Sequence, residues 1–213
     1  MIVLPSRGRP DSLARFFAHS QPVEQGVVLL DDDDAHQYQR IALPKGWSIM
    51  TGPRAGYVAW MNRAFERFPN EPWYACLGDD LLCDPLGWDT ALARAAGQDF
   101  IAYGDDRING QDLCCFPFIG GDLVRRAGWL QYPRLGHLYC DTIWGEIGKG
   151  LGLLNYHPEI TTEHLHWSVE KQPYDQTAQE RPTAGDKETF ELFMATEFDD
   201  VVTRCREEMH RAI

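Results

Sequence analysis

The chain begins with short apolar runs alternating with amphipathic stretches. Ile2–Leu4 is a short strand, and Pro10 then stands in the first turn of a helix with Leu13, Phe16 and Phe17 on one face. Gly26–Leu30 (Gly-Val-Val-Leu-Leu) is a buried strand running into Asp31-Asp32-Asp33-Asp34, and Trp47–Met50 is a third strand. Val58, Met61, Phe65 and Phe68 recur at helical spacing and mark an amphipathic helix. Trp73–Leu77 is a fourth strand, ending at Gly78-Asp79-Asp80; Trp88–Ala96 is helical, and Phe100–Tyr103 is a strand ending at Gly104-Asp105-Asp106. This β–α–β–α rhythm predicts an α/β fold of Rossmann-like type, with a mostly parallel central sheet flanked by helices.

The second half is less regular. Leu113–Phe118 reads as a strand, Asp122–Ala127 as a short helix capped by Asp122, and Asp141–Ile147 as another helix. Leu153–His157 and Ile160–His166 read as a strand pair. The tail reads as one long amphipathic helix whose apolar stripe holds Phe190, Phe193, Met194, Phe198, Val201, Val202, Cys205 and Met209. No linker or repeat divides the chain, so residues 1–213 are expected to form one domain. Within it, 1–110 would be a nucleotide-binding half, 111–170 an acceptor and metal half, and 171–213 a loop and C-terminal helix.

Composition narrows the function. The 213 residues are 44% apolar and 24% charged, the balance of a globular domain, and 20 basic against 32 acidic residues give a net charge of −12. That charge argues against a general nucleic-acid or anionic-membrane binder. No run approaches the roughly 18 apolar residues of a membrane span, and the apolar start Met-Ile-Val-Leu is too short for a signal-peptide core. The six cysteines form no Cys-x-x-Cys pair, which points to reduced thiols in the cytoplasm.

The placement of the acids says more than their sum. In an open parallel sheet, ligands bind beyond the carboxyl ends of the strands, and Asp31–Asp34, Asp79-Asp80 and Asp105-Asp106 each follow a predicted strand. Clustered carboxylates repel unless a cation or hydrogen-bond donors offset them. A hard divalent cation, Mn²⁺ or Mg²⁺, bridging to phosphate is the simplest offset. The abrupt Gly78-Asp79-Asp80 ending is the strongest candidate, whereas Asp105-Asp106, followed by Arg107, Asn109 and Gly110, reads more like a turn. Pro5-Ser6-Arg7-Gly8-Arg9-Pro10 adds backbone donors and two guanidiniums suited to a nucleotide diphosphate. Arg54-Ala55-Gly56-Tyr57 is a similar turn. Late in the chain, His164 and His166 share a face if they lie on a strand, and one or both can complete a metal site.

In order and spacing these motifs resemble a GT-A-type nucleotide-sugar glycosyltransferase of the inverting, family-2-like kind, from Ile2 to about Trp167. The resemblance rests on Val3–Pro10, on Leu29–Asp33, on the Gly56…Asn62 helix start, and on Leu77–Asp80 in place of the Asp-x-Asp element. It continues through Phe118–Leu130, Cys140-Asp141 where many members have Glu-Asp, and Glu163–His166. Gly-Asp-Asp followed by Glu-His-x-His in a compact chain also resembles phage-type glycosyltransferases. The resemblance implies that Pro5, Ser6, Arg7, Arg9, Arg54, Gly56 and Asn62 bind the nucleotide sugar, with Asp31 or Asp33 on the base or ribose. It implies that Asp79 touches ribose or metal, that Asp80 with His164 or His166 coordinates Mn²⁺ or Mg²⁺, and that Asp141 is the general base. The donor would be a nucleotide-diphosphate sugar, a UDP-sugar favoured, and the acceptor a glycan, a small molecule or a modified DNA base. Lys171, Arg181 and Lys187, in and beside the polar segment 172–186, are candidates to close over the phosphates.

Three other readings compete. Asp31-Asp32-Asp33 after a strand, with Gly78-Asp79…Asp84, resembles a haloacid-dehalogenase-type magnesium phosphatase, although Ala35 stands where Thr or Val is usual. A nucleotidyltransferase would want a glycine-rich Gly-x-Gly-x-Arg loop, and Pro5–Pro10 holds a single glycine. The third reading is a non-catalytic nucleotide-sugar binder on the same scaffold, from which retention of binding with loss of transfer in Asp141→Asn would distinguish an enzyme.

Overall fold

A computed structural model describes the backbone of residues 1–211 and the side chains through Glu207. The elements are β1 (Ile2–Pro5), α1 (Pro10–Ser20), β2 (Gly26–Asp31), β3 (Trp47–Gly52), α2 (Tyr57–Arg67), β4 (Trp73–Cys76), β5 (Leu81–Asp84) and α3 (Trp88–Ala96). They continue with β6 (Ile101–Asp105), β7 (Phe118–Gly120), α4 (Gly121–Ala127), α5 (Cys140–Leu151), β8 (Leu154–His164), α6 (Gln176–Gln179), α7 (Asp186–Thr196) and α8 (Phe198–Arg211). The strands form one sheet in the order β3-β2-β1-β4-β7-β6-β8-β5. All run in one direction except β7 and β5, which are antiparallel to their neighbours. The expected mostly parallel α/β sheet is therefore present, and β1, β2, β4, β6 and β8 end on a common rim.

Alternation along the strands explains why the sheet is covered on both faces. Val3, Val27 and Leu29 face a core built with Val58, Trp60, Met61 and Ala64 of α2 and with residues of α4, α5 and α8. Ile2, Leu4, Val28 and Leu30 face the opposite core, against Leu13, Phe16 and Phe17 of α1 and Trp88 and Leu92 of α3. Period-two geometry sends neighbouring apolar residues to opposite layers. Every residue of β2 is accordingly buried.

Several sequence expectations are corrected. Of the expected Leu113–Phe118 strand only Phe118 is in a strand, β7, which runs on to Gly120. A Cβ on Gly120 would meet the Gln98 carbonyl at 2.3 Å, so this strand passes hard against the α3–β6 turn and needs a glycine there. Asp122 does not cap α4; it lies in the first turn and pairs with Arg125, and Gly120 occupies the cap position. The strand pair over 153–166 is one strand, β8, which absorbs Pro158 through an irregularity opposite Gly104/Asp105. The single tail helix is two, broken at Glu197, whose φ of −124° is not helical. Met209 falls outside the described side chains, whereas Phe193, Val201 and Cys205 are buried in the core. Strand β5 has no counterpart in the sequence reading, although Leu81 and Cys83 alternate with more exposed neighbours. Among the described residues, no helix is long and apolar enough to cross a membrane.

Candidate active site

The loops leaving the shared rim enclose a cavity of about 580 Å³, a size suited to a small-molecule ligand. Its first wall is the loop after β1. Arg7 Nη1 donates to Asp31 (2.8 Å) and Asp33 (2.8 Å), and Nη2 donates again to Asp33 (3.0 Å). The other Asp31 oxygen accepts from the Ala55 backbone N–H (3.0 Å) and Trp60 Nε1 (2.7 Å). Asp31 thus joins β2, the Arg7 loop and the start of α2. Asp34 accepts from Gly8 N–H (2.7 Å), which holds the same loop from below.

The second wall carries the acid pair. Ser6 Oγ donates to Asp79 at 2.6 Å, and Arg9 Nη1 lies 3.5 Å from both Asp79 and Asp80. Burial, reinforced by the adjacent negative charge of Asp80, pushes the Asp79 carboxyl above its ordinary range. Burial also opposes ionisation of Asp80, but the His164 imidazole and Arg9 outweigh it and hold this carboxyl below its usual value. The β5–β8 register explains why His164 is there. Leu81 pairs with His164 directly after Asp80, Leu165 N–H donates to the Asp80 carbonyl (2.8 Å), and His164 Nε2 comes within 3.5 Å of Asp80 Oδ2.

His166 lies past the end of β8 rather than on it, as cap of a short 3-10 turn. Its ring still sits 4.8 Å from that of His164, while its Nδ1 is engaged by Ser168 Oγ at 2.6 Å. Among the described residues, no three His, Cys, Asp or Glu side chains form a ready-made metal cage. Asp80 and His164 nevertheless give the cavity wall one carboxylate and one imidazole, a donor set that would suit Mn²⁺ completed by substrate oxygens and water. Asp79 and Asp80 share one guanidinium, Arg9, which Asp175 also engages, so the site carries a negative surplus that a cation would offset.

The third wall comes from the second half. Tyr139, in the left-handed conformation (φ 65°), turns the chain into α5 and stacks on Phe190 at 4.7 Å. That turn brings Asp141 into the cavity wall. One Asp141 oxygen accepts from Thr142 N–H (2.8 Å), the other lies 3.7 Å from Cys115 Sγ, and Asp141 forms no ion pair among the described residues. Burial raises its pKa above the ordinary aspartate value, which makes it a better proton acceptor near neutral pH. His137, beside Tyr57 and 3.4 Å from Arg181, is pushed down to about 4 by burial and by that guanidinium, so its ring is neutral at pH 7. Asp186 fixes this wall by accepting from the N–H groups of Gly136, His137 and Leu138 at 2.7, 2.9 and 2.8 Å.

Residues 172–182 strap across the opening. Asp175 binds Arg9 through both oxygens (2.6 and 2.7 Å), Gln172 Nε2 donates to Asp80 (3.1 Å), Thr177 donates to the Arg7 carbonyl (2.8 Å), and Glu180 pairs with Arg54 (2.5 Å). Pro182 lies against Gly56 and Gly136; a Cβ on Gly136 would meet the Pro182 carbonyl at 2.0 Å, so no side chain fits there.

Pro5, Ser6, Arg7, Arg9, Asp31, Arg54, Gly56, Asp79, Asp80, Asp141, His164 and His166 therefore all line one cavity. Two expected residues do not. Asp33 is an exposed partner of Arg7, and Asn62 is turned away to clamp the backbone of Leu130 and Gln131. Arg181 lines the cavity, but Lys171 pairs with Glu163 and Lys187 approaches Glu191, both away from it. Sequence reasoning missed His137, Gln131, Gln172 and Asp175, which lack periodicity or a motif; only the unusual polarity of segment 172–186 hinted at part of this wall.

This rim, with its acid pair at a strand end, belongs to a glycosyltransferase-like fold of Rossmann type. The chain is similar to the mannosyltransferase PcManGT from Pyrobaculum calidifontis, solved in complex with GDP-Man and Mn²⁺, with a TM-score of 0.59 at 10% identity over 99% of this chain and 74% of that one. It is also similar to a nucleotidyl transferase from Methanothermobacter thermautotroptrophicus, with a TM-score of 0.49 at 12% identity over 78% of this chain and 87% of that one. No protein-family model matches the chain, and no curated protein matches it.

Proposed function

We propose that the protein transfers a sugar from a nucleotide-diphosphate sugar to an acceptor hydroxyl, with inversion and with help from Mn²⁺ or Mg²⁺. The observation that carries this reading is one cavity joining guanidiniums, the Asp80–His164 pair and a desolvated Asp141 that forms no ion pair among the described residues. The fold neighbour solved with GDP-Man and Mn²⁺ agrees with it.

The parts divide the work. Arg7 and Arg9 attract and orient the diphosphate, while Ser6 holds Asp79 in place. Asp80 and His164 would hold the divalent ion, which supplies Lewis-acid stabilisation of charge growing on the leaving diphosphate. Asp141 accepts the proton of the attacking acceptor hydroxyl; the oxygen bonds to the anomeric carbon as the bond from that carbon to the phosphate oxygen breaks. The strap shields the site from water, which limits hydrolysis of the donor.

The phosphatase reading needs Asp31 as a nucleophile, but both Asp31 oxygens are engaged by Arg7, Ala55 and Trp60. It also needs Asp84, which lies at the far end of β5 and binds His19. The test of transfer is incubation with UDP-glucose, GDP-mannose and related donors in Mn²⁺, following release of nucleoside diphosphate with glycan, small-molecule and hydroxylated-DNA acceptors. Asp141→Asn should bind donor normally and lose about 10²–10⁴-fold in transfer. Donor binding with no transfer to any acceptor would favour the non-catalytic binder, and full activity of Asp141→Asn would remove it as the base.

A further inference from the structure

Arg9 is committed on every edge of its guanidinium. Nε and Nη2 donate to the two oxygens of Asp175 (2.6 and 2.7 Å), and Nη1 lies 3.5 Å from both Asp79 and Asp80. The paired fork of Arg9 and Asp175 is the geometry in which a guanidinium also takes two oxygens of a phosphate. A second strap side chain stands on the neighbouring acid. Gln172 Nε2 donates to Asp80 Oδ2 (3.1 Å), the oxygen that lies 3.5 Å from His164 Nε2. The strap therefore occupies at once the guanidinium assigned to the diphosphate and the carboxylate assigned to the metal. A diphosphate gains the forked edge of Arg9 only by displacing a carboxylate. Asp79 and Asp80 follow β4 directly and are held by Ser6 and His164, so Asp175 is the one that yields.

The strap is built to leave. Among the described residues of segment 170–185 only Ala178 is buried, so polar contacts to the site, more than apolar packing, hold it down. Left-handed residues bound it, Glu170 at φ 58° and Gly185 at φ 82°. Outside them the chain is pinned, by Leu165 N–H on the Asp80 carbonyl and by Asp186 on three backbone N–H groups. We propose that residues 172–182 form an autoinhibitory latch in which Asp175 takes the place of the donor's diphosphate on Arg9, so that metal and diphosphate must displace the strap to bind. This rests on the nucleotide-sugar reading above. Because strap and donor compete for the same groups, each weakens the hold of the other by the same factor.

Asp175→Asn removes the charge but keeps an acceptor for the Ala178 N–H, so α6 should persist. If this variant folds poorly, Asp175→Ser, which also caps, takes its place. Calorimetric titration of UDP and GDP in Mn²⁺ is paired with hydrogen exchange of residues 172–182, read by mass spectrometry. Asp175→Asn should bind the diphosphates about tenfold more tightly than wild type, because the competing charged pair is lost. In wild type, saturating diphosphate should speed exchange across 172–182, and Asp175→Asn should do so with no diphosphate added. A lid that closes over its ligand would give the opposite, slower exchange. Slower exchange on binding, or equal affinities for the two proteins, would overturn the latch alone. Binding of neither diphosphate to either protein would overturn the nucleotide-sugar reading and the latch with it.

Discussion

Two identical Gly-Asp-Asp tripeptides lie on the same rim of the sheet, one following β4 and one closing β6. In Gly104-Asp105-Asp106 the acids are consumed locally. Asp106 accepts from the N–H groups of Ile108, Asn109 and Gly110 and from the Asn109 amide, and Asp105 pairs with Arg107. Burial opposes ionisation of Asp106, but these donors outweigh it and lower its pKa. In Gly78-Asp79-Asp80 no loop folds back. The buried Asp79 and the partly buried Asp80 share Arg9, and Asp80 meets His164. The same three residues therefore make a turn or a candidate metal site, depending on whether the following chain returns its own N–H groups or continues straight into a strand such as β5.

The comparison breaks most sharply in activity. Asp80→Asn should lower metal-dependent transfer about 10³-fold, since stabilisation of the leaving diphosphate is worth several kcal/mol. Asp106→Asn, assayed alongside, should leave kcat within a few-fold. The order reverses in urea melts. Asp106→Ala leaves three backbone N–H groups without their acceptor and should cost about 2–4 kcal/mol, while Asp80→Ala should cost far less because it relieves the repulsion with Asp79.

The glycines sharpen the same contrast. A Cβ on Gly104 would meet the Ile160 carbonyl at 2.6 Å, so Gly104→Ala should destabilise by about 1–3 kcal/mol. A Cβ on Gly78 would instead meet Asp80 Oδ1 at 2.7 Å, the movable end of a side chain. Gly78→Ala should fold normally and weaken Mn²⁺-dependent donor binding about tenfold by displacing Asp80. Comparable stability losses in both variants would erase the distinction.

The smallest effect concerns Asp141, whose folded pKa is raised. Such a group binds its proton more tightly folded than unfolded, so it favours folding at low pH and opposes it once pH has risen through the folded value. Asp141→Asn should therefore melt higher than wild type at pH 8, with the gain shrinking as pH falls toward the ordinary aspartate value. A constant difference across that range would show that Asp141 is not desolvated.

Strands such as Gly26–Asp31 and helices such as Pro10–Ser20 were legible in the sequence because burial imposes a period on them. Their common rim followed from parallel topology, so Ser6, Arg7, Arg9 and the Asp79-Asp80 pair could be placed together. What escaped was set by long-range contacts. Asn62 carries the helix spacing of a site residue but spends its amide on Leu130 and Gln131, a commitment no local pattern encodes. Strand β5 is too short to announce itself, yet its pairing with β8 is what delivers His164 to Asp80. Asp175 and Asp186 look like ordinary polar residues; one binds Arg9 across the strap, and the other ties the His137 loop to α7.

The central claim is that Gly78-Asp79-Asp80, and not its twin, binds the metal together with a nucleotide-diphosphate sugar. Electron paramagnetic resonance of free Mn²⁺, titrated with protein in the presence of UDP-glucose or GDP-mannose, tests it directly. The free Mn²⁺ signal should fall stoichiometrically with wild type and with Asp106→Asn, and persist with Asp80→Asn. A signal that persists with wild type, or that Asp80→Asn depletes as readily, would contradict the account.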